Sequence, residues 1–311
     1  MIQRVQNVTE SAEGTFLGLP ESNEEADVTI LSVPYELTTS YGQGTSAGPE
    51  AALRASAQVE LYDPLLPEDL PCGFTLHTAQ PWDGVGDNLQ EQLEGITNYV
   101  SQFQSSFPII LGGEHGMLPA ILKAVSQQVD LSEMTLVQID AHADLRDELD
   151  GEPNSHACAA RRSLDLGVGK ILQIGIRAFA REEMEFAAED VRIESWLARD
   201  VLNPCGGEAK WLDWLNTISE IEGPVWLTLD IDGLDTAYVP TTGTPVPGGL
   251  AFWQVVQTIE TIASAPAANW LGADVNEIVP DPTRHVTEFT AAMLAAKIMA
   301  AHLARRLEDE A

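Results

Sequence analysis

Six short apolar runs rich in β-branched residues punctuate the chain: Val28 to Val33, Pro108 to Leu111, Thr135 to Ile139, Ile171 to Ile176, Val225 to Leu229 and Trp270 to Val275. Between them lie stretches of helical patterning, Leu89 to Phe103, Leu118 to Gln128, Glu182 to Ala188, Trp211 to Ile221 and Phe252 to Ala263, and an Ala- and Leu-rich segment, Glu288 to Arg306, predicts a C-terminal helix. Strands that are apolar on both faces and alternate with helices specify a mostly parallel sheet covered on each side, a three-layer α/β/α architecture. Ligands of such sheets bind beyond the carboxyl ends of the strands.

That edge is where the chemistry-bearing residues fall. His115 lies in Gly-Gly-Glu-His-Gly after one run, Asp140, His142 and Asp144 in Asp-Ala-His-Ala-Asp after another, and Asp230 and Asp232 in Asp-Ile-Asp after a third. Residues i, i+2 and i+4 of an extended segment share a face, so Asp140, His142 and Asp144 are expected to point the same way as a continuation of their strand. Four gathered carboxylates cannot all stay ionised alone: two unit charges about 4 Å apart repel by roughly 4 kcal/mol at an effective dielectric of about 20. They protonate or take up cations. Hard oxygen donors with two imidazoles and no thiolate favour Mn²⁺ over Zn²⁺ or Cu⁺, with Fe²⁺, Co²⁺ and Ni²⁺ also compatible. Two such ions about 3.5–4 Å apart share a water, lower its pKa and hold it as hydroxide at neutral pH.

The 311 residues are read as one domain, 1–311, with no linker and no fixed-period repeat. The most irregular parts are the acidic arm from Met1 to Ala26 and the Pro-rich segment from Asp63 to Asp87. Forty-eight acidic against 16 basic residues leave a formal charge of −32, and only Lys123, Lys170, Lys210 and Lys297 are lysines. Such a field repels nucleic acid and anionic membranes and draws in cations. Lysine scarcity with abundant Asp and Glu also resembles proteins of halophilic archaea. The three cysteines, Cys72, Cys158 and Cys205, are widely spaced and odd in number, which suits a reducing compartment. No apolar signal region follows Arg4, and Thr290 to Ala304 is interrupted by Lys297 and His302. A cytoplasmic protein without membrane or nucleic-acid partners is expected. His302 reads as a surface or hydrogen-bonded histidine and His77 likewise, without acidic neighbours; Cys158 reads as a small buried residue.

Taken together the motifs resemble the ureohydrolase family of arginases and agmatinases along almost the whole chain, most closely archaeal-type agmatinases. The matching segments are Val33 to Tyr41, Leu111 to Gly116, Asp140 to Glu148, Ser155-His156-Ala157, Leu229 to Gly249 and Gly272 to Pro280. The resemblance implies the arginase-like fold, two Mn²⁺ per subunit, and a trimer or hexamer. It implies that His115, Asp144, Asp140 and Asp230 ligate one manganese and His142, Asp232, Asp140 and Asp230 the other, Asp140 and Asp230 bridging. It implies further that His156 moves protons at the pocket mouth and that Glu277 anchors a guanidinium. Both roles suit the side chains: a carboxylate meets a planar guanidinium through paired hydrogen bonds, and a histidine titrates near neutrality. The implied reaction is attack of a metal-bridging hydroxide on the guanidinium carbon, with Asp144 passing the remaining proton to the departing amine.

The chain departs from the family pattern in its first glycine-rich loop, Tyr41 to Pro49, which lacks the arginines of many relatives, and at Thr236, Glu114 and Gly116. These bear on loop packing and substrate fit. The segment Leu145 to Asn154 before His156 is acidic, which points to an ammonium-bearing substrate, agmatine, cleaved to urea and putrescine in polyamine biosynthesis. Arginine, aminopropylagmatine, guanidinobutyrate, formiminoglutamate and guanidine are the alternative small substrates, and a non-catalytic metal-binding regulatory subunit is the alternative from another class.

Overall fold

The computed structural model describes residues 14–22, 25–84 and 86–310. The acidic arm therefore lies largely outside the described residues. What is described of it includes a single 3-10 turn, Phe16–Gly18, whose Phe16 and Leu17 are buried.

Eight parallel strands form the central sheet: β1 (Val28–Val33), β2 (Leu76–Thr78), β3 (Phe107–Gly112), β4 (Thr135–Ile139), β5 (Lys170–Ile176), β6 (Ile193–Leu197), β7 (Gly223–Asp230) and β8 (Ala268–Asn276). Their spatial order is β2-β1-β3-β8-β7-β4-β5-β6. Nine α-helices accompany them among the described residues: α1 (Gly48–Ser56), α2 (Leu89–Val100), α3 (Leu118–Val125), α4 (Ala159–Asp165), α5 (Arg181–Glu189), α6 (Ala198–Val201), α7 (Gly207–Ser219), α8 (Phe252–Ser264) and α9 (Val286–Asp309).

The period-2 alternation of each strand divides the core in two. Val28, Ile30, Ile109, Leu111, Val137, Ile139, Leu227 and Leu229 face one side, against apolar residues of α1, α7, α8 and α9. Leu31, Val33, Ile110, Leu136 and Ile171 face the other, against α2, α3 and α4. The result is the expected three layers. Every residue of β1, β3 and β4 is buried, as parallel strands covered on both faces require. Each fully buried aliphatic side chain contributes about 1.5–3 kcal/mol.

The six expected strands all form. Two further strands, β2 and β6, are the sheet's edges, and neither has the apolar run of a central strand: β2 is three residues long inside the Pro-rich segment, and β6 interrupts the buried Ile193 and Trp196 with Glu194 and Ser195. The helices α1, α4 and α6, nine residues or fewer, are likewise additions to the pattern read from sequence. The C-terminal helix is longer than expected, 24 residues; its length and apolarity would suffice to cross a bilayer, but 72% of its most apolar 18-residue stretch is buried inside the protein. It is a core helix of the α1/α8 layer.

Of the two histidines set aside in the sequence, His77 is hydrogen-bonded as read, though to an acidic neighbour that was not expected, and His302 departs from the reading. His77 Nδ1 lies 2.9 Å from a carboxylate oxygen of Glu21, an acidic neighbour brought from 56 residues away. His302 is half-buried: its ring stacks on Phe107 with centroids 3.7 Å apart, and its Nε2 is buried without a hydrogen-bond partner.

Candidate metal centre and pocket

Four strands that are adjacent in the sheet, β3, β8, β7 and β4, deliver all but one of the expected site residues. His115 follows β3, Glu277 follows β8, Asp230 ends β7 with Asp232 just beyond, and Asp140, His142 and Asp144 follow β4. The chain reaches β4 from β3 by passing over β7 and β8, so the crevice between them is the topological switch of the sheet. His156 arrives separately, in the 3-10 turn His156–Cys158 that leads into α4.

The side chains converge as two overlapping groups. One oxygen or nitrogen from each of His115, Asp140 and Asp144 lies within 4.8 Å of the others, and the same holds for Asp140, His142 and Asp232. Asp140 belongs to both. His115 Nδ1 is 2.9 Å from Asp144 and 3.2 Å from Asp140, and 3.8 Å from Asp230. His142 Nδ1 is 3.1 Å from Asp232 and 3.7 Å from Asp140. Asp230 thus stands beside the first group and outside both triads.

The convergence of Asp140, His142 and Asp144 has a different cause from the one expected. The strand ends at Ile139 and does not continue through the motif. Asp140 accepts the N–H of His142 at 2.6 Å, which turns the chain, and Ala141 accepts the N–H groups of Arg177 and Ala178. Asp144 then adopts φ +53°, a left-handed conformation that Asp tolerates better than most residues. Glu277 is held at φ +60°. Such backbone is sparsely populated and persists where surrounding contacts enforce it; Asp144 accepts the N–H of Arg161, and Glu277 is fixed by Gly113 and Thr242.

Burial makes the carboxylates expensive to ionise without cations. Burial, with Asp232 and Asp140 adding repulsion, pushes Asp230 well above the usual carboxylate range. Asp144 is raised to about 6 by burial and by the charge of Asp140. Burial works against a charged His142, but Asp232 and Asp140 overcome it and carry the ring up to about 11. In the absence of metal the cluster thus holds protons where cations would sit. Nδ1 of His115 is buried and makes no hydrogen bond of good geometry, although it faces three carboxylates. Burial disfavours a charged His115, but Asp140 and Asp144 overcome it and hold the ring well above its ordinary range, so a cation would take the place of that proton; an imidazole nitrogen aimed into hard oxygen donors fits divalent cations of the Mn²⁺ type.

Glu277 and His156 flank this cluster. One oxygen of Glu277 accepts the backbone N–H of His115 at 2.8 Å and lies 3.7 Å from Nδ1 of His156. Burial disfavours a charged His156, yet Glu277, Asp144 and Glu114 together raise its pKa. The backbone N–H of His156 donates to the hydroxyl of Thr38, which donates to Glu114; Glu114 also accepts the N–H groups of Leu37 and Thr38. Glu114, a departure from the family pattern, is therefore a loop anchor, as expected.

A cavity of about 300 Å³ opens over the cluster, lined by His142, Asp144, Asp230, His156 and Glu277 at its floor and by Ser40, Arg146, Leu149, Ala178, Phe179, Glu183 and Thr244 around it. The acidic segment before His156 does not supply its acids. Asp147 pairs with Arg162 at 2.9 Å and its side chain is 77% exposed, and Glu148 and Asp150 are exposed. The segment lends the cavity Arg146 and Leu149, while the outer carboxylate, Glu183, comes from α5. The chain after β4 bends at Asp144, and beyond it Asp147 turns outward toward Arg161 and Arg162 of α4. Cys158 is buried, and burial with the nearby charge of Asp144 pushes its thiol up to about 11, so it is a packing residue.

Comparison with known proteins agrees with this geometry. The family model described as the arginase family matches residues 26–302. The chain belongs to the arginase family. The N(1)-aminopropylagmatine ureohydrolase of Synechocystis sp. is 35% identical over 89% of this chain and 90% of that protein. The agmatinase of Pyrococcus horikoshii is 34% identical over 87% of this chain and 90% of its own. Among solved structures, the agmatine ureohydrolase of Thermoplasma volcanium superposes with a TM-score of 0.76 at 28% identity, covering 92% of each chain. The arginase-family chain is accordingly an enzyme of ureohydrolase type with the arginase fold.

Several residues that shape this arginase-family site were not singled out in the sequence. Gln138 donates to Asp140 at 2.8 Å and accepts from Gln173, which also donates to Ala143. Arg177, immediately after β5, donates to the carbonyls of Gly175, Asp232, Leu234 and Val246, tying the Asp232 turn to the loop that carries Thr244. Its place at a strand's carboxyl end was a usable signal. Thr228 and Asp274 lie inside strands, where sequence alone does not separate a site support from core.

Proposed function

We propose that this arginase-family enzyme is a binuclear manganese hydrolase that cleaves the guanidinium group of agmatine to urea and putrescine. The observation that carries the proposal is the pair of His/Asp groups sharing Asp140 at the floor of a cavity that also holds Glu277 and His156. His115, Asp140, Asp144, Asp230, His142 and Asp232 would hold the two ions. When bound, they supply a water acidic enough to attack at neutral pH and positive charge opposite the charge that develops on the substrate.

The chain's own groups do the rest. Glu277 orients the planar guanidinium by accepting its N–H groups. His156, its pKa raised by Glu277, carries a proton at Nδ1 for the departing amine. Asp144, second acid of the His115 group, receives a proton from the attacking water. Outside the ligand set, the cavity is lined by two carboxylates, Glu277 and Glu183, and one guanidinium, Arg146. With Glu277 committed to the guanidinium, Glu183 is the carboxylate left for an ammonium at the substrate's far end, which supports agmatine.

N(1)-aminopropylagmatine is the second reading, favoured by the Synechocystis relative that bears its name. The assembly proposed is a cytoplasmic homo-oligomer, trimeric or hexameric, adapted to high salt by its charge of −32 and serving polyamine biosynthesis. The test is urea release from agmatine, aminopropylagmatine, arginine and guanidinobutyrate side by side, with Mn²⁺ in molar KCl. Turnover of agmatine above arginine and guanidinobutyrate supports the proposal. No urea from either agmatine compound defeats it.

A further inference from the structure

Asp274 is a wholly buried carboxylate in β8 that takes no part in the ligand set and has no cation within 4 Å among the described residues. Three groups face it. Nε1 of Trp226 approaches one oxygen at 2.7 Å, and the other oxygen meets the hydroxyl of Thr228 at 2.7 Å and Nδ2 of Asn276 at 2.6 Å. Thr228 and Asp274 are register partners on the neighbouring strands β7 and β8, so the pairing is built into the sheet. On its far side the Thr228 oxygen lies 2.8 Å from Nε2 of His115.

The proton directions along this line follow from chemistry. The indole N–H and the amide NH₂ are donors only, and an ionised carboxylate is an acceptor only. Thr228 has a single hydroxyl hydrogen, and the carboxylate takes it. Its oxygen is left with lone pairs toward His115, so Nε2 of His115 must carry the ring hydrogen. In the neutral imidazole this leaves Nδ1 as a bare lone pair, and Nδ1 is the atom that faces Asp140, Asp144 and Asp230 without a hydrogen bond.

We infer that Asp274 and Thr228 are positioning residues that fix the tautomer and ring plane of His115, so that its Nδ1 is presented ready to bind one of the two cations. The line reaches His115 alone. His142 makes no contact with it, and the Asp140/His142/Asp232 group is oriented separately, through Gln138 and through the Ala141 N–H that Asp232 accepts. Loss of the relay therefore weakens one cation position and spares the other. Carboxylate or hydroxyl partners behind a ligating histidine are worth about 10–100-fold in metal affinity.

The experiment titrates the metal-free protein with Mn²⁺ and follows free ion by its electron paramagnetic resonance signal, for the wild type, Thr228→Val, Thr228→Ser and Asp274→Asn. Thr228→Val keeps the shape and β-branching of the strand residue while removing the hydroxyl, and the thermal melt of each metal-free variant reports folding. The expected result is two tight ions for the wild type and for Thr228→Ser. Thr228→Val should bind one ion as tightly as the wild type and the other 10–100-fold more weakly, with a melting temperature close to wild type. Wild-type titration curves for Thr228→Val overturn the relay, as does equal weakening of both ions or failure of Thr228→Ser to restore binding. Asp274→Asn should show the same single weakened position as Thr228→Val; wild-type binding there overturns the part assigned to Asp274. The inference rests on the binuclear reading of the site, and the two failures are distinct: a wild-type chain that takes up no Mn²⁺ ends that reading, whereas normal uptake with an unaffected Thr228→Val ends only the relay.

Discussion

Glu277 accepts the backbone N–H of His115 at 2.8 Å, across 162 residues of sequence. The carboxylate that faces the substrate cavity and the peptide that carries the first imidazole of the cluster are thereby one unit, and a shift in either moves both. Pre-organisation of this kind is what a guanidine hydrolase needs if substrate carbon and attacking water are to meet in register.

Glu277→Gln keeps an oxygen that can accept the His115 N–H but loses the charge. It should lower kcat/KM for guanidine substrates about 100-fold, the worth of a charge-assisted paired contact, with Mn²⁺ content unchanged. Steady-state kinetics with metal analysis on the same samples checks this. Loss of metal together with activity would assign Glu277 to assembly of the cluster in place of substrate anchoring.

Asp140 is the residue common to both His/Asp groups. Asp140→Asn should abolish urea production and reduce bound Mn²⁺, since an amide contributes neither charge nor a second anionic oxygen. An enzyme with this change and full turnover refutes the shared role.

His302 gives the fold an acid-sensitive window. Burial, with Arg306 adding repulsion, pushes its ring down to about 4 from an ordinary 6.5. Between those values the unfolded chain binds the proton and the folded one does not, so the stability from an uncharged His302 is complete above about 6.5 and is lost as pH falls toward 4. The amount is on the order of 3 kcal/mol. His302→Phe, stacked on Phe107 in its place, should lose less melting temperature between pH 7 and pH 5 than the wild type; identical pH dependence for the two proteins would falsify the assignment.

The formal charge of −32 implies self-repulsion that salt screens. Melting temperature should rise by several degrees from low salt to molar KCl. A flat response would separate the acidic composition from any stabilising role of salt.

Central strands were legible in the sequence because burial on both faces leaves an uninterrupted apolar run, and the site residues were legible because they stand where those runs stop. The edge strands β2 and β6 were not, since one face or one side of each is free and their composition relaxes accordingly. Within the site, the identity of the converging residues was readable but the backbone that makes Asp144 converge was not: a left-handed φ in Asp-Ala-His-Ala-Asp leaves no mark in residue spacing. The acids before His156 were misread for the same reason, because that bend decides which way they face. Thr228 and Asp274 show the other limit, polar residues inside strands whose partner lies on the next strand and cannot be paired without the sheet order.

That sheet order also governs when the enzyme becomes competent. The proposed cation ligands start at His115 and end at Asp232, and the Glu277 that braces them directly follows β8, which slots between β3 and β7. A growing chain on the ribosome thus has its earliest ligand made long before the strand that completes the cradle, and β3 and β7 cannot become neighbours across β8 until about nine-tenths of the polypeptide has emerged. The Asp140/His142/Asp232 group hangs from β4 and β7, which pair directly, whereas His115 on the β3 side is joined to it only through β8, so the last strand to be synthesised is the one that brings the two halves of the cluster together.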